Sequence, residues 1–272
     1  MNPRFAVILM LALSACNLEK EIDISLPEYA SQPVVECYLE PGKPYRLLLT
    51  RSSAYFSTFD LEDPAAALYN GASVLVRVDG QDILLDNQLT FDPATLKFYN
   101  YSSDLLVPEG VGKTYELDIL LPDGTTITGQ TTMLPVVPMD SLIVEANDMG
   151  KSRVITYFRE DPMAVNYYRR MVNFGSQDST LQDFLVTDDF FDTELGAFGT
   201  GFSFASGDTL IHTLVHMEEP YFDYLNTIFQ SIAANLNPFG QPGLIVSTVE
   251  GSANPLGVFT GLSVDRDTLI VP

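Results

Sequence analysis

The sequence predicts a mainly β protein: an N-terminal β-sandwich of the immunoglobulin or fibronectin type, followed by a second β-rich domain that carries one amphipathic α-helix. Three observations predict it. From residue 33 to about 134, short runs rich in β-branched and aromatic residues alternate with turn signals. A stretch with Pro135 and Pro138 between apolar residues then stiffens the chain and sets a boundary between domains 33–134 and 135–272. Beyond it, one stretch, about 219–235, repeats its apolar residues at helical spacing.

The first fifteen residues read as a lipoprotein signal peptide. Arg4 precedes an apolar run, Phe5 to Leu13, that is too short for a bilayer core about 30 Å thick. Leu13-Ser14-Ala15-Cys16 then places small side chains beside a scissile bond and a cysteine directly after it, the pattern of a lipobox. Cys16 is the expected lipidation site and residues 16–32 the expected flexible tether, with an ordinary secretory signal as the alternative. Lipidation would leave Cys37 without a disulfide partner. Its apolar neighbours Val35 and Leu39 predict a packed core thiol.

A chain of 272 residues is long enough for two domains. Its net charge of −22, from 14 Lys and Arg against 36 Asp and Glu, repels nucleic acid and anionic lipid headgroups. A hydrophobic content of 46% argues against a disordered acidic tail.

Strands are expected at 34–39, 45–51, 73–78, 83–86, 96–101, 115–121 and 125–132, punctuated by Pro41-Gly42, Asp79-Gly80, Pro108-Glu109-Gly110 and Asp123-Gly124. Seven strands in about a hundred residues fit a sandwich, and Gly112-Lys113-Thr114-Tyr115 reads as a tyrosine corner. Tyr115, Leu117 and Ile119 should face the core, with Thr114, Glu116 and Asp118 facing water. In the second domain strands are expected at 142–145, 154–159, 166–174, 201–205 and 209–217, the last two joined as a hairpin by Ser206-Gly207-Asp208. Glu218, Glu219 and Pro220 open the helix, whose stripe is Tyr221, Leu225, Ile228 and Ile232, widened by Phe222 and Phe229. That stripe predicts packing on a sheet. Further strands are expected at 244–249 and 257–263.

Between Arg170 and Arg266 no Lys or Arg occurs, while twelve Asp or Glu do. Six of these lie between Asp178 and Glu194, and Asp188, Asp189, Asp192 and Glu194 are the candidate ligands for a calcium ion, which takes six to eight oxygens. The regular alternation of a helix-loop-helix calcium site is missing, so a solvated acidic loop, a dock for a basic partner and adaptation to salt stand beside that reading. His212 and His216 fall on a strand pattern that separates them by about 13 Å, too far to share one zinc. No catalytic motif or cofactor loop emerges. Two aromatic loops, Tyr55, Phe56 and Phe59 in one and Phe190 and Phe191 in the other, are the candidate ligand or partner surfaces, each of which could equally be anchored in its own domain.

The chain resembles the Bacteroidetes lipoproteins of the domain of unknown function 4249 family. The resemblance is carried by the stretch from Val34-Val35-Glu36-Cys37-Tyr38-Leu39 to Tyr45, by Leu49-Thr50-Arg51-Ser52 and Gly71-Ala72-Ser73-Val74, and by Tyr221-Phe222-Asp223-Tyr224-Leu225 and Asn254-Pro255-Leu256-Gly257-Val258-Phe259. It covers nearly the whole mature chain and departs locally at Val249-Glu250-Gly251-Ser252. It implies an outer-membrane lipoprotein of a Gram-negative cell, held by its lipid anchor on a face left open, with genes often near TonB-dependent receptors. It implies no substrate. The expected role is therefore a non-enzymatic accessory or ligand-binding partner of a TonB-dependent transporter. The alternatives are a stand-alone glycan or peptide binder and a carboxylate-based hydrolase.

Overall fold

The computed structural model describes residues 31–53, 64–161, 163–191, 194–235 and 243–272. Nine strands precede the proline-bearing stretch: β1 (Pro33–Leu39), β2 (Pro44–Arg51), β3 (Ser73–Val78), β4 (Gln81–Leu85), β5 (Thr90–Asp92), β6 (Lys97–Tyr99), β7 (Tyr101–Leu106), β8 (Thr114–Leu120) and β9 (Thr126–Thr132). After it come β10 (Met139–Ala146), β11 (Ser152–Arg159), β12 (Tyr167–Phe174), β13 (Thr180–Thr187), β14 (Leu195–Gly199) and β15 (Thr209–Met217). The helix α1 (Glu219–Asn235), then β16 (Val249–Gly251), β17 (Leu256–Gly261) and β18 (Ser263–Ile270) complete the chain. The protein is mainly β, as its periodicity predicts.

The first sandwich packs a sheet ordered β17-β1-β2-β7 on one ordered β16-β9-β8-β3-β4. Period-two alternation fills its core from both sheets, with Val35, Cys37 and Leu47 facing Val76, Leu117 and Ile127. Burial pushes the Cys37 thiol up, so it stays a neutral core group. Tyr115 is fully buried and its hydroxyl donates to the Pro108 carbonyl at 3.3 Å, closing the predicted tyrosine corner. The run expected as one strand at 96–101 is split at Asn100. Its buried side chain bonds the Leu49 backbone N–H and carbonyl and the Tyr69 carbonyl, taking it out of the strand ladder.

Two pieces of this sandwich come from the far end of the chain. β17 pairs with β1 in parallel, from Val34 opposite Leu256 to Leu39 opposite Gly261, and β16 extends the other sheet at β9. The expected partition into 33–134 and 135–272 does not account for residues 249–261, which complete the first sandwich; residues 31–272 form one compact unit. Parallel strands need a long crossover, and here everything from β2 to β16, including all of the second sandwich except β18, lies between the two.

That second sandwich packs β10-β11-β14 on β13-β12-β15-β18. β15 is flanked by β12 and β18, so both its edges are taken. The expected 201–205 hairpin partner therefore goes elsewhere: Phe204 forms an isolated bridge to Ser152 of β11. The expected acidic loop is in large part strand β13, paired with β12.

β17 and β18 are one ribbon interrupted only at Leu262, whose N–H donates to the Leu39 carbonyl at 2.8 Å. Its first half belongs to the first sandwich and its second half to the other. The proline-bearing stretch is held against this ribbon, since Ser263 Oγ donates to the Leu134 carbonyl and Asp265 accepts the Met139 N–H at 2.7 Å. His216 Nδ1 lies 2.8 Å from the Pro135 carbonyl, which can only accept, so Nδ1 carries the proton. α1 wedges into the same corner, with Tyr221 and Leu225 packing on Met217 and Val258 and against Tyr38 and Leu185. Glu218 caps it and anchors it: its carbonyl accepts the Tyr221 and Phe222 N–H groups, and its carboxylate takes the Thr131 hydroxyl and the Thr132 N–H of β9. The packed stripe fades after Leu225, and Ile232 is 56% exposed.

Candidate binding surfaces

Strand alternation that sends Val74, Val76, Leu117 and Ile127 inward leaves Arg77, Glu116, Asp118 and Thr128 on the outer face of the β16-β9-β8-β3-β4 sheet. Arg77 lies 2.9 Å from Asp82 and 3.1 Å from both Glu116 and Asp118. Hydrogen bonds to Asp82 and then Glu116 hold its pKa above the ordinary value. Over these groups lies an open cleft of about 510 Å³, bounded on its other side by Pro220, Thr248 and Glu250. It shares Asp118 and Thr128 with an adjoining groove of about 430 Å³. One guanidinium among the carboxylates of Glu116, Asp118 and Glu250 leaves this trough negative, suited to a cationic group on a partner.

A second surface is the β5–β6 hairpin. Phe91 and Phe98 stand opposite each other with ring centroids 4.8 Å apart, and they are 46% and 55% exposed. Arg46–Asp92 at 2.8 Å and Lys97–Glu36 at 3.0 Å fasten the hairpin to β2 and β1. The two phenylalanines, with Leu89 and Leu96, were visible as an apolar cluster in a turn-rich stretch. That was the signal for a surface which strand reasoning alone passes over.

The acidic segment separates into different environments. Asp183 is committed to Arg169, with contacts of 2.8 and 2.7 Å to Nε and Nη2. Asp188 accepts the Asn166 N–H at 2.9 Å, Asp189 is exposed, and Glu194 contributes its backbone carbonyl to the Glu160 N–H. Among the described residues no three side chains of Asp, Glu, His or Cys come together to hold a metal ion. Phe190 is 72% exposed, whereas Phe191 packs edge-on against Phe158 and Phe198 in the core. Cys16, Tyr55, Phe56, Phe59 and Asp192 lie outside the described residues.

The interior of the second sandwich holds a polar layer between two apolar clusters, one around Val154, Val172 and Leu210 and the other around Phe158, Tyr168 and Leu214. Thr156, Arg170 and His212 form it, all essentially buried. His212 Nδ1 shares a 3.1 Å hydrogen bond with Thr156 Oγ1. Burial, then the Arg170 charge, pulls the His212 pKa down to about 4, against a smaller opposing effect of Asp267. Burial lowers Arg170 to about 10, which still leaves it cationic at neutral pH.

The stretches that carry the sequence resemblance meet in space. Residues 34–39 pair with 256–261 on β1 and β17, and Tyr221 and Leu225 pack against Tyr38 and Val258 at their side. No curated protein matches the chain. Among solved structures, a cytokine receptor complex is similar at 10% identity and TM-score 0.26, over 86% of this chain and 94% of that one. The FN1–FN3 domains of chicken CNTN1 are similar at 9% identity and TM-score 0.26, over 70% of this chain and 60% of that one. A DUF4785 family protein from Legionella pneumophila gives 14% identity and TM-score 0.24, over 67% and 51%. Scores this low carry no weight, and the fold rests on the strand order itself. The sequence model described as Domain of unknown function (DUF4249) matches residues 19–268, and the chain belongs to that family.

Proposed function

We propose that this chain is a non-enzymatic, lipid-anchored binding module of the outer membrane that works as an accessory partner of a TonB-dependent transporter. The observation that carries this reading is the open negative trough lined by Arg77, Glu116, Asp118 and Glu250, a surface suited to a cationic group on a partner. The lipobox at Cys16 supports the anchor, and the family resemblance supports the membrane and the transporter.

The test is affinity purification of the tagged full-length protein from detergent-solubilised native outer membranes, with Cys16→Ala and the double variant Glu116→Lys, Asp118→Lys alongside. Stoichiometric recovery of a TonB-dependent receptor, weakened in both variants, is the expected result. A solitary lipoprotein would overturn the transporter assignment.

The exposed Phe91–Phe98 pair favours a second reading, direct binding of a glycan or peptide. A ligand-dependent rise in melting temperature that disappears in Phe98→Ser would support it.

A further inference from the structure

Arg169 and Arg170 are consecutive in β12 and point to opposite faces of its sheet. Arg169 turns outward and presents Nε and Nη2, the two donors on one edge of the guanidinium, to the two oxygens of Asp183. Arg170 turns inward, is 2% exposed, and donates Nη1 to Gln182 Oε1 at 2.6 Å. Its Nε and Nη2, the same edge that Arg169 gives to a carboxylate, are buried and have no hydrogen-bond partner among the described residues. No ion pair of Arg170 with a described carboxylate exists either. A buried cation with two unused parallel donors is expensive to maintain, and nearly all buried charges in proteins are paired. His212 Nε2, buried in the same polar layer and close enough to feel the Arg170 charge, is likewise without a partner.

The surroundings give this edge a way in. Arg170 spans the seam between two edge strands of opposite sheets, with Gln182 of β13 at its tip and the Phe198 ring of β14 at 6.0 Å. Phe184, directly across the β12–β13 register from Arg170, is 51% exposed and has an open edge beside it. Displacement of that one side chain is a small change compared with opening a sheet.

We infer that the β13–β14 seam is a carboxylate-binding site, in which the Nε and Nη2 donors of Arg170 take both oxygens of a ligand carboxylate and Phe184 covers the entrance. The bidentate pair at Arg169 is the internal template for the geometry. The site is independent of the transporter reading and of the cationic-partner trough on the other sandwich. The carboxylate belongs either to a small organic acid or to an acidic side chain of a peptide.

The experiment titrates the full-length protein in detergent with sodium formate, with sodium chloride at matched ionic strength as reference, and follows melting temperature and saturation-transfer NMR on the formate proton. A saturable, formate-specific response is expected, weakened at least tenfold in Arg170→Lys, which keeps the charge and loses the paired donors, and altered in affinity by Phe184→Ala. A short Asp-containing peptide with blocked termini, compared with its Asn counterpart, separates the sources: tighter binding than formate identifies a peptide ligand, and binding of formate alone identifies a small acid. Equal responses to formate and chloride, or an unchanged formate response in Arg170→Lys, would overturn the site. Because the NMR measurement on the unaltered protein needs no variant, its failure to detect formate contact overturns the site even if an Arg170 variant does not fold.

Discussion

Gly257 and Val35 approach so closely across the parallel β17–β1 pair that a Cβ on Gly257 would lie 1.9 Å from the Val35 carbonyl oxygen. Gly257 also has φ +122°, a conformation that side chains avoid. Asn254, three residues earlier, is itself left-handed at φ +48°. The Asn254–Phe259 motif is thus the device that turns the returning chain into the first sandwich.

Gly257→Ala should therefore cost about 2–4 kcal/mol, from steric clash added to backbone strain. Gly80→Ala is the control, with φ +75° but nothing within 4 Å of the added carbon, and should cost about 1 kcal/mol. Urea unfolding of both variants checks the contrast, and equal losses would show that the close approach to Val35 does not matter.

Burial works against the Arg169 charge, but the hydrogen bonds to Asp183 and the contacts with Tyr221 more than offset it and hold its pKa above the ordinary value. Tyr221 comes from α1, and its hydroxyl lies 3.1 Å from Arg169 Nη1, so the pair also fastens the helix to the sheet. A double-mutant cycle on Arg169→Met and Asp183→Asn should give a coupling of about 1–3 kcal/mol. The exposed Arg159–Asp140 pair, at 3.2 Å, should give less than about 0.5 kcal/mol by the same measurement.

His212 carries the acid sensitivity of the second sandwich. Its pKa falls from an ordinary value of about 6.5 in the unfolded chain to about 4 in the folded protein. Between these values the unfolded state binds more protons, so stability declines as pH drops through that window, by up to about 1.4 kcal/mol per pH unit, and levels off below it. Burial lowers His216 as well, partly opposed by its bond to Pro135, and adds in the same direction. Unfolding free energies measured from pH 7 to 4 should show a shallower slope in His212→Gln than in the parent protein.

Tyr115→Phe removes one hydrogen bond of 3.3 Å and leaves the buried ring in place. A loss of about 0.5–1.5 kcal/mol with an unchanged circular dichroism spectrum is expected. A loss above 3 kcal/mol would mean that the corner does more than close a loop.

The sequence by itself determined the features that repeat over a few residues. The inward Tyr115, Leu117 and Ile119, the helix from Glu219 to Asn235 and the tyrosine corner all follow from local periods and local turns. Family membership was legible in the same way, from short stretches of unusual composition. Tertiary structure decided what depends on remote partners. β13 was hidden because Asp183 looks like a loop acid until Arg169 of the neighbouring strand neutralises it. The two domains read from the proline-bearing stretch became one unit because residues 256–261 find β1, more than 200 positions upstream, and no local pattern encodes that pairing. Arg169 and Arg170 are indistinguishable as sequence. Only the packing of a second sheet makes one face of β12 an interior, and so leaves one arginine paired with Asp183 and the other buried with two of its donors unpaired.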